Sequence, residues 1–405
     1  MASIRKRGNT YQIRSFCGYE TSGNQVEQTF TWKPQPGMTA KQIKKEVNRQ
    51  AVLFEEECAN GQIVTVMKFQ AFAERWFKEY AEIKLKTQTI RWYHNSEARV
   101  YKAIGHMRMD KITTRTLQKF VSELVKADKL NCKGEAIGRL APKTVRNHIA
   151  FISTVFDYAL KQGMVRDNPC KNVTLPSDPE KDRSIYTLEE VQKMLDLFKS
   201  ESEANYKFTV FFTLAVFTGL RRGELLGLEW KDIDWEHQLL KVVRTSEWTK
   251  ELGIYTDTPK TKSSRRMLKL PADLLAELRR YKAWQNAYKA KLGSKWVECD
   301  RLFTKINGEP MGIRSPYKYF EKFCARTGMR FVSIHSFRHF NASALIMNGV
   351  DVKTVQACLG HNDVNTTLSI YAHSFQEAQA RAMICVADYI TGKKADTQTP
   401  ESASA

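Results

Sequence analysis

The spacing of apolar residues divides this 405-residue chain into three stretches and a tail. Residues 1–62 begin with a period of two. SIRKR and TYQIRSF flank a Gly8-Asn9 turn, and a second turn at Ser22-Gly23-Asn24 leads into QVEQTFTW, where Val26, Phe30 and Trp32 share one parity. This pattern predicts a small three-stranded sheet. After Pro36-Gly37 the period lengthens, and Ile43, Val47, Ala51 and Phe54 recur at helical spacing.

Residues 63–178 read as helical throughout. Phe69, Phe72, Trp76, Phe77 and Tyr80 form one apolar face, which Ile104, Met107, Ile112, Leu117 and Phe120 continue after a break. KADKLNCKGEAIGRLAP is expected to be a polar loop. Pro142 then opens PKTVRNHIAFISTVFDYALKQG, with Val145, Ile149, Ile152, Phe156 and Leu160 on one stripe and Gly163 at the stop. Lys143, Arg146 and His148 fall off that stripe, which predicts solvent-facing positions. Pro169, Pro176 and Pro179 mark a linker.

The third stretch, 179–392, opens on a capping-box signal, Thr187-Leu-Glu-Glu190. It mixes helices with strand candidates in DIDWEHQLLKVVRTS, IYTDTPKT and SRRMLKL. Residues 393–405 are low in complexity and expected to be disordered. The whole predicts a multidomain α+β chain: a small sheet with a helix, an all-helical middle, and a mainly helical third domain with one small antiparallel sheet.

Charge narrows the class. The formal net charge is +20, which favours polyanionic partners, nucleic acid first. It is spread along the chain, with 9 Lys+Arg against 6 Asp+Glu in residues 1–60, 22 against 13 in 61–182, and 33 against 25 in the remainder. Arg5, Lys6, Arg7 and Arg14 lie in the predicted sheet, which can enter a DNA groove or be a solvated edge blunted by charge. Lys143 and Arg146 are candidates for phosphate contacts. The eight cysteines form no CxxC and no zinc spacing, so reduced thiols are expected. No apolar run is long enough to span a membrane.

Four places in the third stretch combine charge with apolar helical flanks. FTGLRRGELLGLEW turns at Gly219 and presents Arg221, with Glu224 one helical turn on. TPKTKSSRR is a basic hairpin tip with Lys260 and Lys262. SIHSFRHFNASALI spaces His335 and Arg338 at i, i+3. CLGHNDVNTTLSIYAH sets His361 ten residues before Tyr371. Each alone is ordinary: an exposed Arg-Glu pair stabilises little, and HxxR is too short to be specific. Together they supply cations, a proton donor and a nucleophile for phosphoryl transfer. No phosphate-binding GxxxxGK[ST], no HExxH and no carboxylate cluster is present.

These boxes, in this order, resemble those of the tyrosine recombinases (phage-type integrases), most like those of conjugative transposons and prophages. The resemblance implies an arm-type DNA-binding domain at 1–62, a SAM-like core-binding domain at 63–178 and a catalytic domain at 179–392. It implies that Arg221 and Arg338 bind a scissile phosphate that Tyr371 attacks, giving a 3′-phosphotyrosine. Lys260 would protonate the leaving 5′-hydroxyl, with Lys262 the alternative. His335 would assist proton transfer, His361 would hydrogen-bond the phosphate, and Glu224 would support Arg221. Phe340 departs from the family, which commonly has a small hydroxyl residue there. No cofactor, metal or ATP is implied. The implied partners are double-stranded DNA at core and arm sites, further copies of the chain in a tetramer, and excisionase or DNA-bending proteins, all in the cytoplasm. The amphipathic segment FQEAQARAMICVADYI would pack on its own domain or on a neighbouring protomer. Two other roles fit the same fold: a chromosome-resolving or inverting recombinase, and a non-catalytic DNA-binding regulator.

Overall fold

The computed structural model describes residues 2–19, 25–59, 67–131, 133–178, 185–258 and 264–360, with Met383, Val386, Ala387, Ile390 and Thr391. The Ser22–Asn24 turn, the Val26 side chain, residues 179–184, the tail and most of the C-terminal amphipathic segment lie outside the described residues. Contacts divide the chain into two compact units, Met1–Lys181 and Asp182–Ala405.

In the first unit, β1 (Ser3–Arg7), β2 (Thr10–Tyr19) and β3 (Gln25–Trp32) form an antiparallel sheet in sequence order. The register places Ile4, Ile13 and Phe30 opposite one another. That face meets α1 (Ala40–Ala59) through a cluster of Ile13, Ala51, Phe54 and Cys58. Residues of the opposite parity, Arg5, Arg7 and Arg14, lie on the other face, because side chains alternate along a strand. Lys6, paired with Tyr11, is on the helix side of the outer strand.

A second cluster is built by α2 (Phe69–Trp76), which runs through a π turn (Phe77–Ala81) into α3 (Glu82–Lys84), and by α4 (Thr87–Val100), α5 (Thr114–Lys126) and α6 (Pro142–Lys161). Phe69, Phe72, Trp76, Phe151 and Phe156 are its largest fully buried side chains. The middle stretch is not wholly helical. β4 (Asp128–Leu130) and β5 (Ala136–Arg139) pair within the expected loop. Asn131 Oδ1 closes their turn by accepting from the amides of Lys133 (2.9 Å) and Glu135 (3.0 Å). His148 also departs from expectation. It is 5% exposed, because α6 is packed by α2, α4 and α5 and buries more than one stripe.

The second unit begins at α7 (Leu188–Lys199). Its capping box forms: Glu190 N donates to Thr187 Oγ1 at 3.2 Å, and Thr187 N to Glu190 Oε2 at 2.9 Å. The helix α8 (Tyr206–Thr218) is apolar nearly all round and crosses the core. Next come α9 (Arg222–Gly227), β6 (Ile233–Asp234), β7 (Leu239–Val242), β8 (Thr245–Thr249), β9 (Gly253–Asp257) and β10 (Arg266–Lys269). The single sheet expected here is two: β10, β7 and β6 make one, while β8 and β9 make a separate hairpin. The helices α10 (Ala272–Leu292), α11 (Ser315–Thr327), α12 (His335–Met347) and α13 (Val352–Leu359) complete the unit.

Candidate active site

The site is assembled where three helix ends meet. The helix α8 stops at Gly219, whose φ of +60° is the left-handed conformation. The φ favours glycine, and a Cβ there, 2.8 Å from Asn341 Oδ1 and Leu359 Cδ2, would also have to displace those two side chains. Asn341, on α12, donates to the carbonyls of Val216 and Phe217, both at 3.0 Å, and covers the open end of α8.

Two residues later Arg221 is the N-cap of α9. Glu224 accepts from the Arg221 amide at 3.0 Å and from its Nη1 at 2.7 Å. Arg221 is thereby fixed through backbone and side chain together. The Glu224 side chain is 4% exposed. Burial raises its pKa, but the guanidiniums of Arg266 and then Arg221 outweigh burial and hold it below the usual carboxylate value. Arg222, the adjacent arginine, is exposed.

Arg338 enters from α12 and is 1% exposed. Its Nη1 donates to the Gly219 carbonyl at 3.0 Å and its Nη2 to the Leu359 carbonyl at 2.7 Å. Arg221 Nη2 reaches the next carbonyl, Gly360, at 3.1 Å. Two arginines distant in sequence therefore meet at the C-terminal end of α13, whose unpaired carbonyls carry the negative end of the helix dipole. The Asp351 N-cap at the other end of α13 accepts from Lys353 N and Thr354 N, both at 3.0 Å.

His335 is exposed in the first turn of α12, its ring edge-on to His339 with centroids 4.9 Å apart. Phe340 packs against the unit's main core. Lys260, Lys262, His361 and Tyr371 lie outside the described residues. Among the basic candidates elsewhere, Lys143 is exposed. The Arg146 guanidinium is engaged by Asp178 and, at 3.2 Å, by the Pro176 carbonyl, a tie to the chain beyond α6. Arg14 lies 3.9 Å from Glu27 in an exposed pair.

One residue that sequence reasoning passed over is central. Arg266, read as part of a basic tip, is 6% exposed and pairs with Glu224 at 2.9 Å. The signal was available: in RMLK, Arg266 has the parity of Leu268, which packs against the core.

Two family models match the chain. The phage integrase family matches residues 185–378, and the phage integrase central domain matches 69–174. The chain belongs to the phage integrase family. It is 31% identical to a XerC-like tyrosine recombinase of Caldanaerobacter subterraneus subsp. tengcongensis, over 60% of this chain and 65% of that protein. It is also 31% identical to the ICEBs1 integrase of Bacillus subtilis, over 59% of this chain and 64% of that one. The chain thus spans just under two thirds of these relatives' own lengths. In fold it is similar to the Tn1549 transposon integrase solved with transposon right end DNA (TM-score 0.64, 20% identity, 79% of this chain and 100% of that one). It is similar too to a lambda integrase dimer bound to a core site (TM-score 0.52, 16% identity, 91% and 93%). The second unit of this integrase-family chain holds Arg221, Glu224, Arg266 and Arg338 in one hydrogen-bonded cluster.

Proposed function

We propose that this protein is a site-specific DNA recombinase that integrates and excises a mobile element, a conjugative transposon or prophage. The observation that carries the reading is the convergence of Arg221 and Arg338 on the carbonyls of Gly360 and Leu359, directly before His361. Two guanidiniums, those of Arg221 and Arg266, share the one carboxylate of Glu224, and Arg338 adds a third positive charge on the neighbouring Leu359 carbonyl. That excess suits a phosphodiester, whose non-bridging oxygens accept from arginine.

In the proposed step, Tyr371 Oη attacks the scissile phosphorus and its proton passes toward His335. Arg221, Arg338 and His361 hold the charge of the transition state. The bond from phosphorus to the 5′ oxygen breaks, and Lys260, or Lys262 two residues on, protonates that oxygen. The products are a 3′-phosphotyrosine and a free 5′-hydroxyl. Attack by another strand's 5′-hydroxyl reverses the step, so the bond is conserved without nucleotide hydrolysis. Side chains supply the neutralising charge, and the step as written uses no metal ion.

Relatives named as integrases and transposon transposases support the reading, as does the Tn1549 integrase's structure with circular intermediate DNA. We assign residues 1–62 to arm-site binding, 63–178 to core-site binding and 179–392 to catalysis. The partners we assign are duplex DNA, three further copies of the chain, and excisionase or DNA-bending proteins, in the cytoplasm. No helix among the described residues is long and apolar enough to cross a membrane.

The test is a covalent trap. Purified protein is mixed with a library of nicked duplexes that includes the element's own ends, in EDTA, then denatured in SDS. The wild type is expected to become linked to DNA, and Tyr371→Phe to bind the same DNA without linkage. An adduct that survives in Tyr371→Phe removes the nucleophile assignment. Binding without an adduct in the wild type replaces this reading with that of a DNA-binding regulator. Adducts mapping to chromosomal or inverting sites would move the same chemistry to a resolving or inverting role.

A further inference from the structure

Arg266 opens β10 and extends into the same cluster from a third direction. Its Nη2 pairs with Glu224 Oε2 at 2.9 Å, its Nε donates to the Cys358 carbonyl at 2.6 Å, and its Nη1 donates to the Ser264 carbonyl at 3.1 Å. Each partner belongs to a segment with a different task. Glu224 spends its other oxygen on Arg221. Ser264 follows the tip that carries Lys260 and Lys262. Cys358 lies in the last turn of α13, ahead of His361.

The α13 contacts form a series. The carbonyls of Cys358, Leu359 and Gly360 accept, in that order, from Arg266, Arg338 and Arg221. A helix's last carbonyls have no donors of their own helix, and they attract cations. Three guanidiniums on three successive carbonyls fix the end of α13 against α9, α12 and β10 at once. Two of those guanidiniums are the proposed phosphate clamp. The third, Arg266, has its Nε, Nη1 and Nη2 each donating to a protein acceptor.

We propose that Arg266 is a positioning residue for strand cleavage: it locks Glu224, and through it Arg221, to the end of α13 and to the strand behind the lysine tip. This rests on the recombinase reading above. The requirement is for arginine, because its planar fork serves three directions together. A lysine can satisfy the Glu224 charge but cannot keep all three contacts in one plane. The effect is therefore on alignment, and small misplacements of reacting groups slow chemistry strongly.

The experiment measures single-turnover adduct formation on the nicked duplex recovered in the trap, alongside affinity for that duplex and the thermal midpoint, for wild type and Arg266→Lys. The expected result is a rate lower by on the order of 10²-fold, with affinity and midpoint close to wild type. Glu224→Gln breaks the same bridge from its other end and is expected to show the same split. The double variant is expected to be no slower than the slower single, since the two residues act as one unit. A wild-type rate in folded Arg266→Lys overturns the proposal. So does a rate that falls only in step with affinity and midpoint in both variants, which is the signature of a merely structural ion pair. Should Arg266→Lys fail to fold, Arg266→Gln decides by the same criteria, because Glu224 also holds Arg221 directly and does not report on Arg266 alone. Absence of adduct in the wild type would instead be a failure of the recombinase reading, visible before any variant is compared.

Discussion

At the scale of single residues, His148 shows how a side chain's surroundings override its type. A histidine beside Lys143 and Arg146 reads as part of a basic surface, but α6 is enclosed on several sides and takes His148 into the core. Its Nδ1 lies 2.7 Å from the Thr144 carbonyl. A carbonyl only accepts, so Nδ1 carries the proton and Nε2 holds the lone pair. Nε2 is buried with no hydrogen-bond partner among the described residues. Burial lowers the pKa below the ordinary 6.5, Arg99 lowers it further, and the bond to Thr144 opposes both. Between the folded and unfolded values the unfolded chain binds more protons, so stability falls as pH drops below about 6.5. The midpoint of denaturant unfolding is expected to fall from pH 7 to pH 5, and His148→Leu to flatten that fall. Equal slopes in both proteins would show that His148 is protonated at no cost. The same residue scale separates what the sequence could show. Arg221 and Arg338 stand in recognisable boxes at element ends. Arg266 needed the register of β10, where one residue of phase decides between a solvated tip and a buried guanidinium.

At the scale of elements, α9 explains how Arg221 is aimed. The hexapeptide RGELLG sets Gly223 and Gly227 four residues apart, on one side of the helix. That side lies on β8. A Cβ at Gly223 would be 2.4 Å from Thr245 Oγ1, and one at Gly227 would be 2.9 Å from the Arg244 carbonyl and 3.1 Å from Thr245 Cα. The clash at Gly223 involves a side chain that can turn; the clash at Gly227 is with backbone. The Gly227 carbonyl also accepts from buried Arg301, so the helix end has little room to slide. Gly227→Ala is expected to push α9 off β8 and destabilise the second unit by about 1–3 kcal/mol, read from its urea midpoint. An unchanged midpoint would mean that the hairpin yields, and that α9 is aimed by Glu224 alone. In this unit α7, α8 and α12 were readable, α7 most plainly from Thr187 and Glu190, whereas α10, α11 and α13 were not singled out. The division of strands into two sheets was not, because DIDWEHQLLKVVRTS contains both a four-residue turn, residues 235–238, and a change of partner that alternation alone does not mark.

At the scale of the whole molecule, the charge of +20 raises, on the proposed recombinase reading, the question of which cations act at a site and which only attract DNA in general. Register gives a way to divide them. Arg5, Arg7 and Arg14 share the sheet face turned away from α1, with Gln12, Thr29 and Thr31 of the same parity beside them. Lys6 has the opposite parity. If that polar face tracks a phosphate backbone, each arginine in contact releases counterions and contributes about 0.9 to the slope of log affinity against log salt. Replacing all three by glutamine is then expected to reduce the slope by up to about 2.7 on an element-end duplex that includes flanking sequence. Lys6→Gln is expected to leave it unchanged. On the core duplex alone, the triple variant should keep its slope and its rate of adduct formation, since Arg221, Arg266 and Arg338 sit in the other unit. A slope lost equally on both duplexes would make the three arginines part of a diffuse attraction, with no assignment to one site. A slope lost with Lys6→Gln as well would place the contact along the outer edge of the sheet, where β1 exposes both parities.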